Sequence, residues 1–212
     1  MTKREKYFRY ALGSGALAYS SGMLSEALLG WKLDPRTTLL SELAASGHPD
    51  RRVFRVTDIV AGTLFIGASA VPQHRRATTF RVLLALFGTA TIADAFSPLD
   101  YPISQDEQNP KDQKHRGAPS LRHRAHYLTT TLAGSAAAGI CLHDWQLQRR
   151  QSGTVRKFAG PAVVLGEIAG VVALASPKLL PGIVQRMQTL GFTAICLDLA
   201  RRGLATSPSP KV

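Results

Sequence analysis

The chain has 212 residues, 45% of them hydrophobic, and carries 26 Lys and Arg against 14 Asp and Glu for a formal net charge of +12. That length is one domain's worth of chain, and two cysteines, Cys141 and Cys196, exclude a disulfide framework. The cations gather at the ends of apolar stretches rather than in a patch interleaved with aromatics, which excludes nucleic acid as partner and fits side chains beside anionic lipid.

Six apolar stretches run Tyr10–Trp31, Val53–Val71, Thr79–Ser97, His126–His143, Phe158–Ser176 and Pro181–Ala200. Each is close to the ~20 residues that a helix needs to cross hydrocarbon. The expected fold is all-α, an integral membrane bundle of six transmembrane helices over residues 10–200. A basic cytoplasmic tail (1–9) precedes it and a disordered tail (201–212) follows. Mean hydropathy is near zero, because apolar spans alternate with charged connections. A soluble bundle would show a charged stripe along each helix; Tyr127–Leu142 and Ala159–Leu174 do not. The run after Lys6 is too long for a signal-peptide core and lacks a cleavage site, so it is expected to stay as the first span.

Span one is rich in small residues such as Gly13, Gly15, Ala18 and Gly22, which allow close helix contact. In the connection Lys32–Arg52, Asp34-Pro35 and Gly47-His48-Pro49 are turn signals, and Thr38–Ala45 between them reads as a short interfacial helix. The link Gln73–Thr78 makes spans two and three a hairpin. Leu99–Arg122 has the composition of a surface loop, and Asp144–Lys157 is a basic link. Gly166 and Gly170 in span five leave room for another helix, and Pro177 with Pro181 turns the chain into span six. Cation density in the short connections favours both termini on the cytoplasmic side of a plasma (inner) membrane.

In that orientation Glu26, Asp58 and Asp94 lie a few residues inside the outward ends of the first three spans. His126 opens span four at a similar depth, and His123 shares its helix face. His48 and His115 fall on the same side. Carboxylates at such depth are costly, so Asp58, Asp94 and Glu26 are candidate catalytic or binding groups around one shallow outward cavity. His123 and His126 are candidate ligands for zinc. The competing reading pairs the acids with Arg51, Arg52, Arg55, Arg122 or Arg124. Mid-span Glu167 is a candidate ligand-binding group or proton carrier, and Asp198 is expected to pair with Arg201 or Arg202. Ser20, Ser21 and Ser25 lack a nucleophile-elbow setting.

The stretch Asp34-Pro35-Arg36-Thr37-Thr38-Leu39-Leu40-Ser41-Glu42-Leu43-Ala44-Ala45, and then Phe96-Ser97-Pro98-Leu99-Asp100 followed by His123-Arg124-Ala125-His126, resembles the bacterial and archaeal membrane proteins grouped as the domain-of-unknown-function 998 family. Ala44 stands where that family usually has Gly. The resemblance spans roughly residues 10–200, implies six spans without an assigned activity, and draws attention to Ser41, Glu42, Asp100, His123 and His126. It adds Ser41, Glu42 and Asp100 to the candidate ligand-binding residues. The functional expectation is an uncharacterised multi-pass membrane protein whose outward polar cavity binds a lipid headgroup or small ligand. The alternatives are a metal-dependent hydrolase of lipid amides or esters and a small proton-coupled transporter.

Overall fold

The computed structural model describes residues 1–71, 78–104, 118–148, 154–173 and 176–203. Six α-helices are present among them: α1 (Lys3–Leu28), α2 (Arg51–Ser69), α3 (Thr78–Phe96), α4 (Leu121–Gln148), α5 (Thr154–Ala173) and α6 (Pro181–Arg202). Each expected span coincides with one of these helices. His74, His115, most of the polar loop, the centre of the basic link and the tail from residue 204 lie outside the described residues.

The helix ends follow from local chemistry. Thr2 caps α1 by accepting the Glu5 amide at 3.2 Å. Gly30 and Trp31, both at positive φ, turn the chain after α1. Ser120 starts α4 at Leu121, its Oγ accepting the His123 amide at 3.2 Å. That cap adds more than a turn before His126, where the charged Arg122-His123-Arg124 run hid the helix from a hydropathy reading. Pro181 occupies the first turn of α6, where its missing N–H costs nothing. The short helix expected over Thr38–Ala45 is a 3-10 turn at Leu40–Ala44.

Each helix packs against its neighbours in sequence, and α1 also packs on α6, so the six close into a ring. Phe65, Phe87 and Phe192 meet at its centre, with centroids 4.7–6.0 Å apart, and Tyr19 stands edge-on to Phe87 and Phe192. This plug belongs to an apolar core that also includes Phe8, Leu12, Leu84, Ile140 and Cys196. The ring tightens where backbones touch. A Cβ on either Gly62 or Gly88 would stand 2.5 Å from the other's carbonyl oxygen, so α2 and α3 cross there with no room for a side chain. Gly170 and Gly166 receive Gln188 of α6, whose Nε2 donates to the Gly166 carbonyl at 3.0 Å.

The end of the ring where α1, α3 and α5 finish is covered by the connection after α1. Ser46 N donates to Leu99 O at 2.8 Å, Leu40 N to Gln185 Oε1 at 2.6 Å, and Gly182 N to Arg36 O at 3.0 Å. We call this the capped end. At the opposite end Arg202 binds Asp198 and Asp144, both at 2.9 Å, joining α6 to α4; Asp198 thus takes one of its two expected partners. Among the described residues one helix, Thr78–Phe96, is both long and apolar enough over its length to cross a membrane.

Candidate functional site

Asp58 lies one helical turn from Phe54, Ala61 and Gly62, the buried stripe of α2. Asp94 continues the buried stripe of α3 beyond Phe87 and Thr91. Tyr19 does the same on α1, one turn beyond Gly15 and Ala16. All three side chains therefore point into the ring, on the capped side of the phenylalanine plug. Asp58 and Asp94 stand within electrostatic range of each other, and Tyr19 stands within range of both and of Glu167.

The two aspartates are held differently. Asp94 Oδ1 accepts the hydroxyls of Thr129 and Thr130, the latter at 3.0 Å, and lies 2.9 Å from His126 Nδ1. That nitrogen also faces the Ser97 carbonyl at 3.2 Å, so it meets two acceptors and must carry hydrogen. The other ring nitrogen, Nε2, is 3.3 Å from Thr130 Oγ1. Asp58 is half-buried, and among the described residues no hydrogen bond or ion pair engages it.

Glu26 has a different role. It is 3% exposed and forms a two-toothed pair with Arg186 of α6: Nη2 reaches Oε1 at 2.6 Å and Oε2 at 2.7 Å, and Nε reaches Oε2 at 3.1 Å. Arg186 Nη1 then donates to the Pro35, Thr38 and Gly182 carbonyls at 2.8–2.9 Å. One guanidinium thus joins α1, the connection and α6. None of the arginines weighed from the sequence is the partner. The missed signal is that Arg186 is itself a charge inside a span, at a depth matching Glu26.

Glu42 is 2% exposed and ties down the cap, accepting Ser104 N at 2.9 Å, Ser104 Oγ at 2.6 Å and Leu39 N at 3.2 Å. Ser41 beside it is half-buried. Asp100 accepts Ser120 N at 2.8 Å and Ser120 Oγ at 2.7 Å. These bonds, with His123 3.5 Å away, hold its carboxyl below the usual carboxylate range. His123 takes the Asp100 amide on Nδ1 at 3.2 Å and faces Tyr127 Oη with Nε2 at 3.1 Å. His48, also in the cap, has its imidazole pushed down by burial, against the pull of Asp50. Glu167 on α5 is half-buried and approaches Gly134 of α4, whose Cβ would stand 3.4 Å from its carboxylate.

The structure therefore brings Asp58, Asp94 and His126 to one place. It puts Glu26 in a buried ion pair and Glu42, Asp100 and His123 in the cap. Tyr19, Thr129 and Thr130 were invisible to a search for charge, because hydroxyls in a span look like packing residues, and Ser104 is one polar residue in a polar loop. Among the described residues no group of three or more His, Cys, Asp or Glu is placed to hold a metal ion.

A closed ring of helices with acids on its inner stripe and a folded cap over one end is the class of protein this geometry defines. The sequence model of the family described as "Protein of unknown function (DUF998)" matches residues 14–202, and the chain belongs to that family. Neither a curated protein nor a solved structure matches it.

Proposed function

We propose that this chain is a six-span integral membrane protein, with both termini cytoplasmic, that holds the cationic part of a small ligand or lipid headgroup in a polar chamber facing outward. The membrane reading is supported by apolar side chains on the outside of the ring and by charged and polar ones buried within it. Leu24, Val56, Val82, Leu128, Leu165 and Met187, one from each helix, are each more than half exposed on the outside of the ring. Glu26, Arg186, His126, Thr189 and Thr193 are buried inside it. Exposed apolar belts of this kind are rare on soluble monomers and are what hydrocarbon requires.

The observation that carries the ligand reading is Asp58. An acid on the inner stripe of a helix, facing a second acid and without a partner of its own, is costly unless something cationic joins it. Asp94 is already satisfied by Thr129, Thr130 and His126, which leaves Asp58 to receive the ligand.

Three measurements test the reading. In intact cells, cysteines placed at Ser46 and Lys178 should react with a membrane-impermeant maleimide, and one at Lys3 only after permeabilisation. Labelling of Lys3→Cys from outside would reverse the orientation, and release of the protein by alkaline carbonate would end the membrane reading. Purified protein should bind ethanolamine, and Asp58→Asn should abolish that binding. Equal binding by wild type and variant would remove Asp58 from the site.

One observation favours a second reading. Asp94 orients His126 as a carboxylate orients an imidazole in general acid–base catalysis. Hydrolysis of a lipid amide or ester, with zinc supplying the activated water, would use that pair. Metal-dependent release of fatty acid, lost in His126→Ala, would favour it over simple binding.

A further inference from the structure

Three arginines stand under the edge of the cap, one helical turn from the acids. Arg51 and Arg55 are one turn apart on α2, and Arg122 is in the first turn of α4. Arg51 and Arg122 both lie within electrostatic range of Arg55. Three like charges so close repel one another, and among the described residues none of them has an ion pair. Among the described residues, the acids near them are engaged elsewhere: Asp50 with Lys32 at 2.6 Å, Glu42 with Ser104, and Asp100 with Ser120. Arg51 donates to the His48 carbonyl at 3.2 Å and Arg55 Nε to the Ala44 carbonyl at 3.0 Å, so both side chains are held in place by backbone. Arg55 Nη2 is nonetheless buried and, among the described residues, has no hydrogen-bond partner. A fixed guanidinium with a dry, unused donor, among other cations, is a site that lacks its anion.

The helical register puts this rim directly over the acids. Asp58 is three residues after Arg55 on α2, and His126 is four residues after Arg122 on α4. Each helix therefore presents a cation at the capped end and Asp58 or His126 one turn deeper on the same face. The rim suits a phosphate, which takes planar two-toothed contacts from guanidinium. Asp58 below suits an ammonium group.

We infer that the chamber binds a phosphate ester carrying a primary amine a short carbon bridge away, with the phosphate on Arg51, Arg55 and Arg122 and the amine on Asp58. Phosphoethanolamine is the smallest such group, free or as the headgroup of a phospholipid. This inference rests on the ligand reading of Asp58 above and adds to it the anion, the rim and the polarity of the ligand.

The test is calorimetric titration of the detergent-purified full chain with phosphoethanolamine, ethanolamine and inorganic phosphate. Phosphoethanolamine should bind tightest. Arg55→Gln and the exposed Arg122→Gln should each weaken it by about tenfold, the loss of one charge-assisted contact, and leave ethanolamine unchanged. Asp58→Asn should weaken phosphoethanolamine and ethanolamine and spare inorganic phosphate. Arg122→Gln alters a surface residue, so a folding defect cannot imitate its effect. Equal binding of ethanolamine and phosphoethanolamine, unmoved by either arginine change, would overturn the inference and leave the Asp58 reading standing. Binding of none of the three probes would overturn both. Nanodiscs made of equal phosphatidylethanolamine and phosphatidylglycerol separate the two sources. Enrichment of the former around wild type, lost in Asp58→Asn, assigns the lipid headgroup; binding of the free compound without enrichment assigns a soluble ligand.

Discussion

Arg186 offers the clearest test of how the ring is held. Its side chain is buried, and its nitrogens serve both oxygens of Glu26 and three carbonyls. Arg186→Met keeps the stem and removes every donor, leaving Glu26 charged, 3% exposed and alone. Breaking a buried pair from one side costs about 3–5 kcal/mol, roughly a hundred- to several-thousand-fold in the folding equilibrium. Glu26→Leu/Arg186→Met removes the stranded charge as well, so it should be more stable than Arg186→Met alone. It should still fall short of wild type, because the Pro35 and Thr38 carbonyls remain without their donor, at ~1–3 kcal/mol for each that stays dry. Trp31 and Trp145 provide an intrinsic fluorescence signal for unfolding detergent-purified protein with denaturant. If the double variant loses the sum of the losses of Glu26→Leu and Arg186→Met measured singly, the side chains are not coupled and the argument fails. A loss below about 1 kcal/mol for Arg186→Met would mean that water reaches Glu26.

Gly62→Ala should push α2 and α3 apart, since its new Cβ would lie 2.5 Å from the Gly88 carbonyl and 2.6 Å from Ile92; a loss of about 1–3 kcal/mol is expected, and an unchanged unfolding midpoint would contradict the crossing. Gly182→Ala should loosen the cap, because its Cβ would lie within 2.5 Å of the Thr38 carbonyl, and protease sensitivity between α1 and α2 reports it. Asp100 has a lowered folded-state pKa, so its contribution is present above the usual carboxylate value of ~4 and is lost as pH falls through the lower folded value. Wild type and Asp100→Asn should therefore differ in melting temperature at neutral pH and converge in acid, and a gap that persists at low pH would assign the effect to something other than ionisation. Glu167→Gln keeps the shape of the side chain and removes its charge. Unchanged ligand binding in that variant fits a structural acid, whereas loss of proton-coupled uptake in vesicles would support the transporter reading.

The positions of the six helices were legible in the sequence because a helix with one apolar environment writes itself as an uninterrupted run. The ends were less legible. Ser120 adds more than a turn to α4 through a single hydroxyl, and no hydropathy window registers a cap. The acids were legible for the same reason as the helices, since a carboxylate inside an apolar run stands out. Their partners were not. Glu26 finds Arg186 across 160 residues of chain, a pairing that appears only once α1 and α6 close the ring.

The sequence by itself determined the helical class, the six segments, the acids within them and the family motifs around Glu42 and His123, all of which are local patterns of polarity along the chain. Only the tertiary structure decided which acid is satisfied and which is left free. Asp58 and Asp94 look alike in sequence, each a few residues from a helix end. Asp94 meets two threonines and a histidine because α4 packs beside α3, while Asp58 on α2 meets none among the described residues. The rim of Arg51, Arg55 and Arg122 likewise exists only in the folded ring, where two helix starts distant in sequence come to the same end. Electrostatic and hydrogen-bonding partners are set by distance in space, and in a closed ring that distance is fixed by helix packing rather than by separation along the chain.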